Sequence, residues 1–134
     1  MIATRVQAEP FDTAAEIAAL SARRTDIGAV VTFTGFVRDI SHGVPVEAMT
    51  LDHYPAMTAK ALAAIAAEAA ARWPLQGGIV IHRHGRLLPG DPIVLVAVAS
   101  AHRAAAFEAA AFLMDWLKTK APFWKREEAG GQAQ

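Results

Sequence analysis

The apolar positions of this chain switch repeatedly between a two-residue and a 3.6-residue period. Thr13-Ala-Ala-Glu16 has the form of a capping box, and Ile17 and Leu20 add an apolar edge, predicting a first helix from Asp12 to about Arg24. Ile27 to Val37, rich in Val, Thr and Phe, predicts a strand in which Gly28 and Gly35 mark bulges or close backbone approach. Arg38 to Pro45 is a loop by composition, and Val46 to Tyr54 alternates as a second strand. Pro55 stands where a helix can begin. Met57, Ala61, Ile65, Ala69 and Trp73 then recur as an apolar stripe up to Trp73-Pro74. Gln76 to Gly78 reads as a turn, Ile79 to His84 as a strand, Gly85 to Asp91 as a loop, and Ile93 to Ala99 as the central buried strand.

The last element is a helix from about Ala101 to Lys120, with Ser100 as N-cap and Phe107, Ala110, Met114 and Leu117 as its buried stripe. Lys118 follows Phe107 by eleven positions, a rotation of about 20° from its direction, which predicts a stem on the apolar side. Pro122 forces Ala121 out of the helical region, so Phe123 to Arg126 leaves as an extended segment. Helix, two strands, helix, two strands, helix and a short strand describe an α+β fold with a mixed, largely antiparallel sheet. Residues 1–128 are expected to form one domain, and 129–134 a frayed tail.

Charge and composition narrow the function. Thirteen basic and thirteen acidic residues give a formal net charge of zero, so no global field draws this chain to nucleic acid or to a membrane surface. Any anion binding must be local. No apolar run is long enough to span a bilayer, and Met1 to Arg5 lacks the pattern of a secretory leader, so a soluble cytoplasmic protein is expected. The absence of cysteine excludes disulfides, thiolate metal sites and a cysteine nucleophile or persulfide. His82 and His84 share one face of a strand, but no second ligand motif accompanies them; neither a metal site nor a cofactor is expected. With 54% apolar residues, a chain of this size is expected to bury surface against a second copy in a twofold dimer.

Five cations stand out. His102 and Arg103 lie at a helix N-terminus, Arg38 at the mouth of a strand, and Lys118 and Lys125 around the helix end. A single lysine or loop arginine is ordinarily just solvated, and cations at a helix C-terminus are favoured by its dipole. An imidazole and a guanidinium beside free helix N–H groups suit an anion. By themselves these residues leave open a catalytic pocket, a non-catalytic phosphate- or nucleotide-binding regulatory module, and a structural dimer whose lysines solvate helix ends.

Three pieces carry a resemblance: Thr34-Gly-Phe-Val-Arg38, Ser100-Ala-His-Arg103-Ala-Ala-Ala-Phe107, and Leu117-Lys-Thr-Lys-Ala-Pro-Phe-Trp-Lys-Arg-Glu127. Leu51 to Met57 and Ile81 to Leu87 add to it. From about residue 26 to residue 128 the chain resembles the large, catalytic subunit of molybdopterin synthase. The resemblance implies an α/β-hammerhead fold with an added antiparallel subdomain, in a homodimer that carries a small ubiquitin-like subunit at each end of a heterotetramer. It implies a sulfurtransferase that converts cyclic pyranopterin monophosphate to the molybdopterin dithiolene in molybdenum cofactor biosynthesis. The sulfur arrives as a thiocarboxylate on the small subunit's C-terminal Gly-Gly.

Carried over by position, the catalytic lysines fall on Lys118 and Lys125, and the anion-binding residues on Arg38, His102 and Arg103. Phe36, Val37, Arg126 and Glu127 line the pocket in the same comparison. Two ammonium groups held close together favour loss of one proton, so one lysine is expected to act as base while the other stabilises charge. Many family members carry a further basic tail toward the neighbouring site. This sequence departs from that pattern, stopping at Gln134.

Overall fold

The structure, a computed structural model, describes residues 1–129. Among these the chain runs β1 (Ile2–Gln7), α1 (Thr13–Ser21), β2 (Ala29–Phe36), β3 (Ile40–Ser41), β4 (Val44–His53), α2 (Pro55–Arg72), β5 (Leu75–Arg83), β6 (Gly85–Leu87), β7 (Pro92–Ser100), α3 (Arg103–Thr119) and β8 (Phe123–Ala129). The most apolar segment, β7, is central: the first sheet has the order β1-β5-β7-β2, with β1 parallel to β5 and the other pairings antiparallel. Its two faces bury different sets. Val80, Val94, Val96 and Val98 pack with Leu62, Ile65, Leu113 and Leu117 under α2 and α3. Ile79, Ile81, Leu95 and Ala97 face Phe11 and Leu20, at the α1 side. Burial on both faces explains why β7 reads as an unbroken apolar run.

The second sheet is small and antiparallel. β4 pairs with β6 through Met49, Thr50 and Leu51, and with β8 from Val46 to His53, while β3 closes a hairpin on its start. That hairpin turns through His42 and Gly43, both at positive φ (51° and 78°), the backbone pairing that two-residue hairpins favour. Its core is Val37, Met49, Leu51 and Leu87, with Ile93 and Phe123 packed against it. This is the α+β arrangement expected, an α/β-hammerhead with an antiparallel subdomain. No helix among the described residues is long and apolar enough to cross a membrane.

Several sequence expectations shift. β1 was not foreseen, although Ile2, Thr4 and Val6 alternate; β6 lies within the expected 85–91 loop, and Gln76–Gly78 lies inside β5 rather than in a turn. The cap of α1 is Asp12, whose side chain accepts from the Ala15 N–H, so Thr13 is already helical. On α2 the buried stripe is Thr58, Leu62, Ile65, Ala66 and Ala69, and Met57 is exposed. On α3 it is Ala106, Ala109, Ala110, Leu113 and Leu117, while Phe107 is 60% exposed. Small residues on the buried side let α3 approach the sheet closely, which rotates Phe107 outward. Lys118 does share the Phe107 direction, but that direction faces solvent. Ser100 ends β7 rather than capping α3, and its hydroxyl donates to the His102 carbonyl; the N-cap is His102, with no side-chain cap bond. Ala129 belongs to β8; the rest of the expected tail lies outside the described residues.

Gly28, just before β2, and Gly35 within it both behave as anticipated. The register shifts between Gly35 and Phe36. Gly28 donates its N–H to the Ser100 carbonyl at 2.9 Å, and a Cβ there would stand 2.0 Å from the Ala101 carbonyl oxygen. The obstacle is backbone and cannot swing away. Gly28→Ala should therefore destabilise the fold by at least about 1–3 kcal/mol, read as a lowered urea midpoint at unchanged m-value.

Candidate active site

α3 ends in an ordered sequence of contacts. The Lys120 and Ala121 N–H groups both donate to the Trp116 carbonyl, at 2.8 and 3.1 Å, and the Phe123 N–H then donates to the Ala121 carbonyl at 2.8 Å. Pro122 forbids further helix, and β8 begins at once, antiparallel to β4 with Phe123 opposite His53, Lys125 opposite Leu51 and Glu127 opposite Met49. Side chains alternate along a strand, so Phe123, Lys125 and Glu127 share one face and Trp124, Arg126 and Glu128 the other.

Two adjoining cavities open on the first of these faces. The smaller, about 120 Å³, is bordered by Phe36, Val37, Arg38, Ile40, Lys125 and Glu127. The larger, about 370 Å³, is bordered by His82, Leu117, Lys118, Thr119, Phe123 and Lys125. Met49, Ile93 and Lys125 border both, so Lys125 stands at their junction. Arg38 is held at the rim because Val37, buried beside it, is pinned on both sides: its N–H donates to the Asp91 carbonyl at 2.9 Å, and its carbonyl accepts from Gly90 at 2.8 Å. Lys125 lies 3.6 Å from the Glu127 carboxylate, a half-exposed contact that leaves its ammonium free to meet another anion.

The remaining predicted residues lie elsewhere. Arg126 points from the opposite face of β8 and donates to Asp52 at 2.8 Å, so it borders neither cavity. That hydrogen bond also holds the Asp52 carboxyl below its ordinary pKa. His102 and Arg103 are exposed at the start of α3, and Lys118 comes 15 residues later, about 22 Å along the axis. The sheet register agrees: Ala29 pairs with Ser100 at one end and Phe36 with Pro92 at the other, so Arg38 and His102 leave from opposite ends. Within one subunit these cations do not form one pocket.

His82 belongs to the site although only its strand-face pairing with His84 had singled it out. Its ring stacks on Phe123, centroids 3.9 Å apart and planes at 14°, and its Nδ1–H donates to the Arg83 carbonyl at 2.8 Å. His53 lies 5.3 Å beyond Phe123, and His84 is 4.6 Å from His53. Burial holds the His82 pKa down to about 4, opposed by the Arg83 carbonyl and reinforced by His53 and His84. The His53 pKa is likewise lowered, by burial and then by His84, against Asp52.

With this geometry, comparison with known proteins is informative. A family model described as "MoaE protein" matches residues 6–120. The chain belongs to the MoaE family. The molybdopterin synthase catalytic subunit of Mesorhizobium japonicum is 59% identical over 123 residues, covering 92% of this chain and 76% of that protein. The structure of the molybdopterin biosynthesis MoaE protein from Burkholderia ambifaria superposes with a TM-score of 0.85 at 47% identity, covering 100% of this chain and 93% of that one. A chain from a complex of subunits 1 and 2 of the molybdopterin-converting factor of Helicobacter pylori shares the fold: TM-score 0.73 at 21% identity, covering 98% and 86%. The MoaE match begins well before residue 26, where the sequence motifs begin, and takes in the end of β1 and all of α1.

The buried imidazole has a consequence for stability. His82 carries a folded pKa near 4 against an ordinary 6.5, so its contribution is fully present above pH 6.5 and is lost as pH falls from there to about 4. The shift corresponds to about 3 kcal/mol. Urea midpoints measured across that window should fall accordingly, and His82→Phe, which cannot take up a proton, should flatten the fall.

Proposed function

We propose that this MoaE-family chain is the catalytic subunit of a molybdopterin synthase, a sulfurtransferase that builds the dithiolene on cyclic pyranopterin monophosphate. The observation that carries the reading is the position of Lys125 where an arginine-rimmed cavity meets a second cavity bordered by Lys118. Two adjoining cavities with one shared cation suit a two-part reaction, one part holding the substrate and the other the sulfur donor. The donor would be the C-terminal Gly-Gly thiocarboxylate of a small ubiquitin-like subunit, since an extended glycine tail can enter a channel too narrow for side chains. The name of the Helicobacter structure, a complex of two subunits of one converting factor, supports such a partner.

In this reading the thiocarboxylate meets Lys118 and the pterin faces Lys125. Attack of the sulfur on the substrate leaves an acyl link to the small subunit, which water hydrolyses. Both steps develop negative charge on oxygen, and the two ammonium groups stabilise it where it forms. Arg38 serves the substrate phosphate through its guanidinium.

The separation of His102 and Arg103 from this cluster favours assembly across a twofold axis, in which they meet Arg38 of a second copy. Phe33, on the outer strand β2, and Phe107, one turn along α3 from Arg103, are exposed on that side and suit a dimer contact. Two such subunits, each with its small partner, make a heterotetramer.

Mixing the protein with a thiocarboxylated small subunit and cyclic pyranopterin monophosphate should give dithiolene, and no product would reject the reading. Lys118→Ala and Lys125→Ala should each slow single-turnover formation by at least about 100-fold while remaining folded dimers. The double variant should be far less than multiplicatively worse, because the pair acts as a unit. Arg103→Ala should weaken substrate binding by calorimetry more than small-subunit binding. Sedimentation at micromolar concentration should show a dimer.

A further inference from the structure

We propose that His82 Nε2 accepts the proton of the water that hydrolyses the acyl link, a role the lysine pair leaves unfilled. The inference rests on the sulfur-transfer reading and assigns a new group within it. Its starting point is an accounting of the His82 ring. Nδ1–H is committed to the Arg83 carbonyl, which can only accept, so in the neutral ring the lone pair is on Nε2. Among the described residues no group bonds Nε2, yet only Gln76 Oε1 is a buried side-chain polar atom without a partner. Nε2 is therefore not sealed. His82 is 7% exposed and borders the larger cavity together with Lys118 and Lys125.

The other polar side chains around this cavity are poorly suited to the task. The lysine base expected from the sequence would first have to lose a proton, and in the reading above both lysines act as ammonium groups, which donate and have no lone pair. The Thr119 hydroxyl already donates to the Asp115 carbonyl at 2.7 Å. Among the described residues no carboxylate borders the cavity, and His53 and His84 border a different one. The charged and titratable groups facing His82 are Lys118 from α3, Lys125 from β8, His53 from β4, and His84 just beyond β5. None is a carboxylate, so no charged side chain beside the ring favours its protonated form, and the Nε2 lone pair stays free at neutral pH.

The step balances with water as the only co-reactant. Water oxygen bonds to the acyl carbon as its proton passes to Nε2, and the carbon–sulfur bond then breaks. The sulfur leaves on the pterin as a thiolate, which takes the proton back from the imidazolium. The small subunit departs with a free C-terminal carboxyl group. The stack on Phe123 and the bond to Arg83 fix the ring while this happens.

Two variants separate this role from packing. His82→Asn can keep a donor toward the Arg83 carbonyl, and His82→Phe can keep the stack on Phe123; neither has the Nε2 lone pair. In single-turnover reactions with the thiocarboxylated small subunit and the pyranopterin, conjugate between the two should form at the wild-type rate. Its hydrolysis should slow by about 100-fold or more, so that the conjugate accumulates in mass spectra. Wild-type hydrolysis in either folded variant would overturn the assignment, as would loss of dithiolene without accumulated conjugate, which is the mark of a merely structural residue. A wild-type control that gives neither conjugate nor dithiolene would reject the sulfur-transfer reading itself.

Discussion

Phe123 is held between two imidazoles, stacked on His82 from the large sheet and tilted against His53 from the small one. It is the first residue of β8 after the proline that ends α3, so this contact joins the helix, the large sheet and the antiparallel subdomain. Lys125 follows two residues later on the same face. Its position at the junction of the cavities is inherited from the ring, through the alternation of the strand and its pairing with β4. The imidazoles can flank an apolar ring in this way because they are held largely unprotonated by burial and by one another.

The length of α3 imposes the second constraint. A straight helix of 17 residues cannot bring its two ends together, and the cations at its start and finish are separated by most of the domain. The start of α3 keeps its N–H groups without a side-chain cap, beside His102 and Arg103, while its end leads to Lys118. One helix thus supplies two sets of cations to two places. A suitably placed twofold axis can bring the start of one copy near the finish of the other, which is the assembly proposed above.

Strand and helix positions were largely legible in the order of apolar and polar residues. The phase of the helices was less so. On α2 and α3 the predicted stripes shared Ile65, Ala69, Ala110 and Leu117 with the buried faces, but they also took in Met57 and Phe107, which are exposed. In an alanine-rich helix the few large residues dominate a periodicity reading, whereas the buried face is decided by how closely the backbone can approach the sheet. Alanine permits the closest approach. The same rotation carries Lys118 to the open side, where the larger cavity lies.

The amino-acid sequence by itself determined the type of the longer elements after β1, the buried central strand, the proline-terminated helix, the close approach at Gly28 and the motifs that mark the family. These depend on local backbone sterics and on periods short enough to read along a chain. The partition of the cations depended on the tertiary structure alone. Arg126 is adjacent to Lys125 in sequence but lies on the other face of β8, His102 and Arg103 stand a helix length from Lys118, and His82 joins the lysines from a strand more than thirty residues upstream. Which side chains share a cavity is set by sheet register and by helix length and rotation, and those are fixed only when the elements pack together.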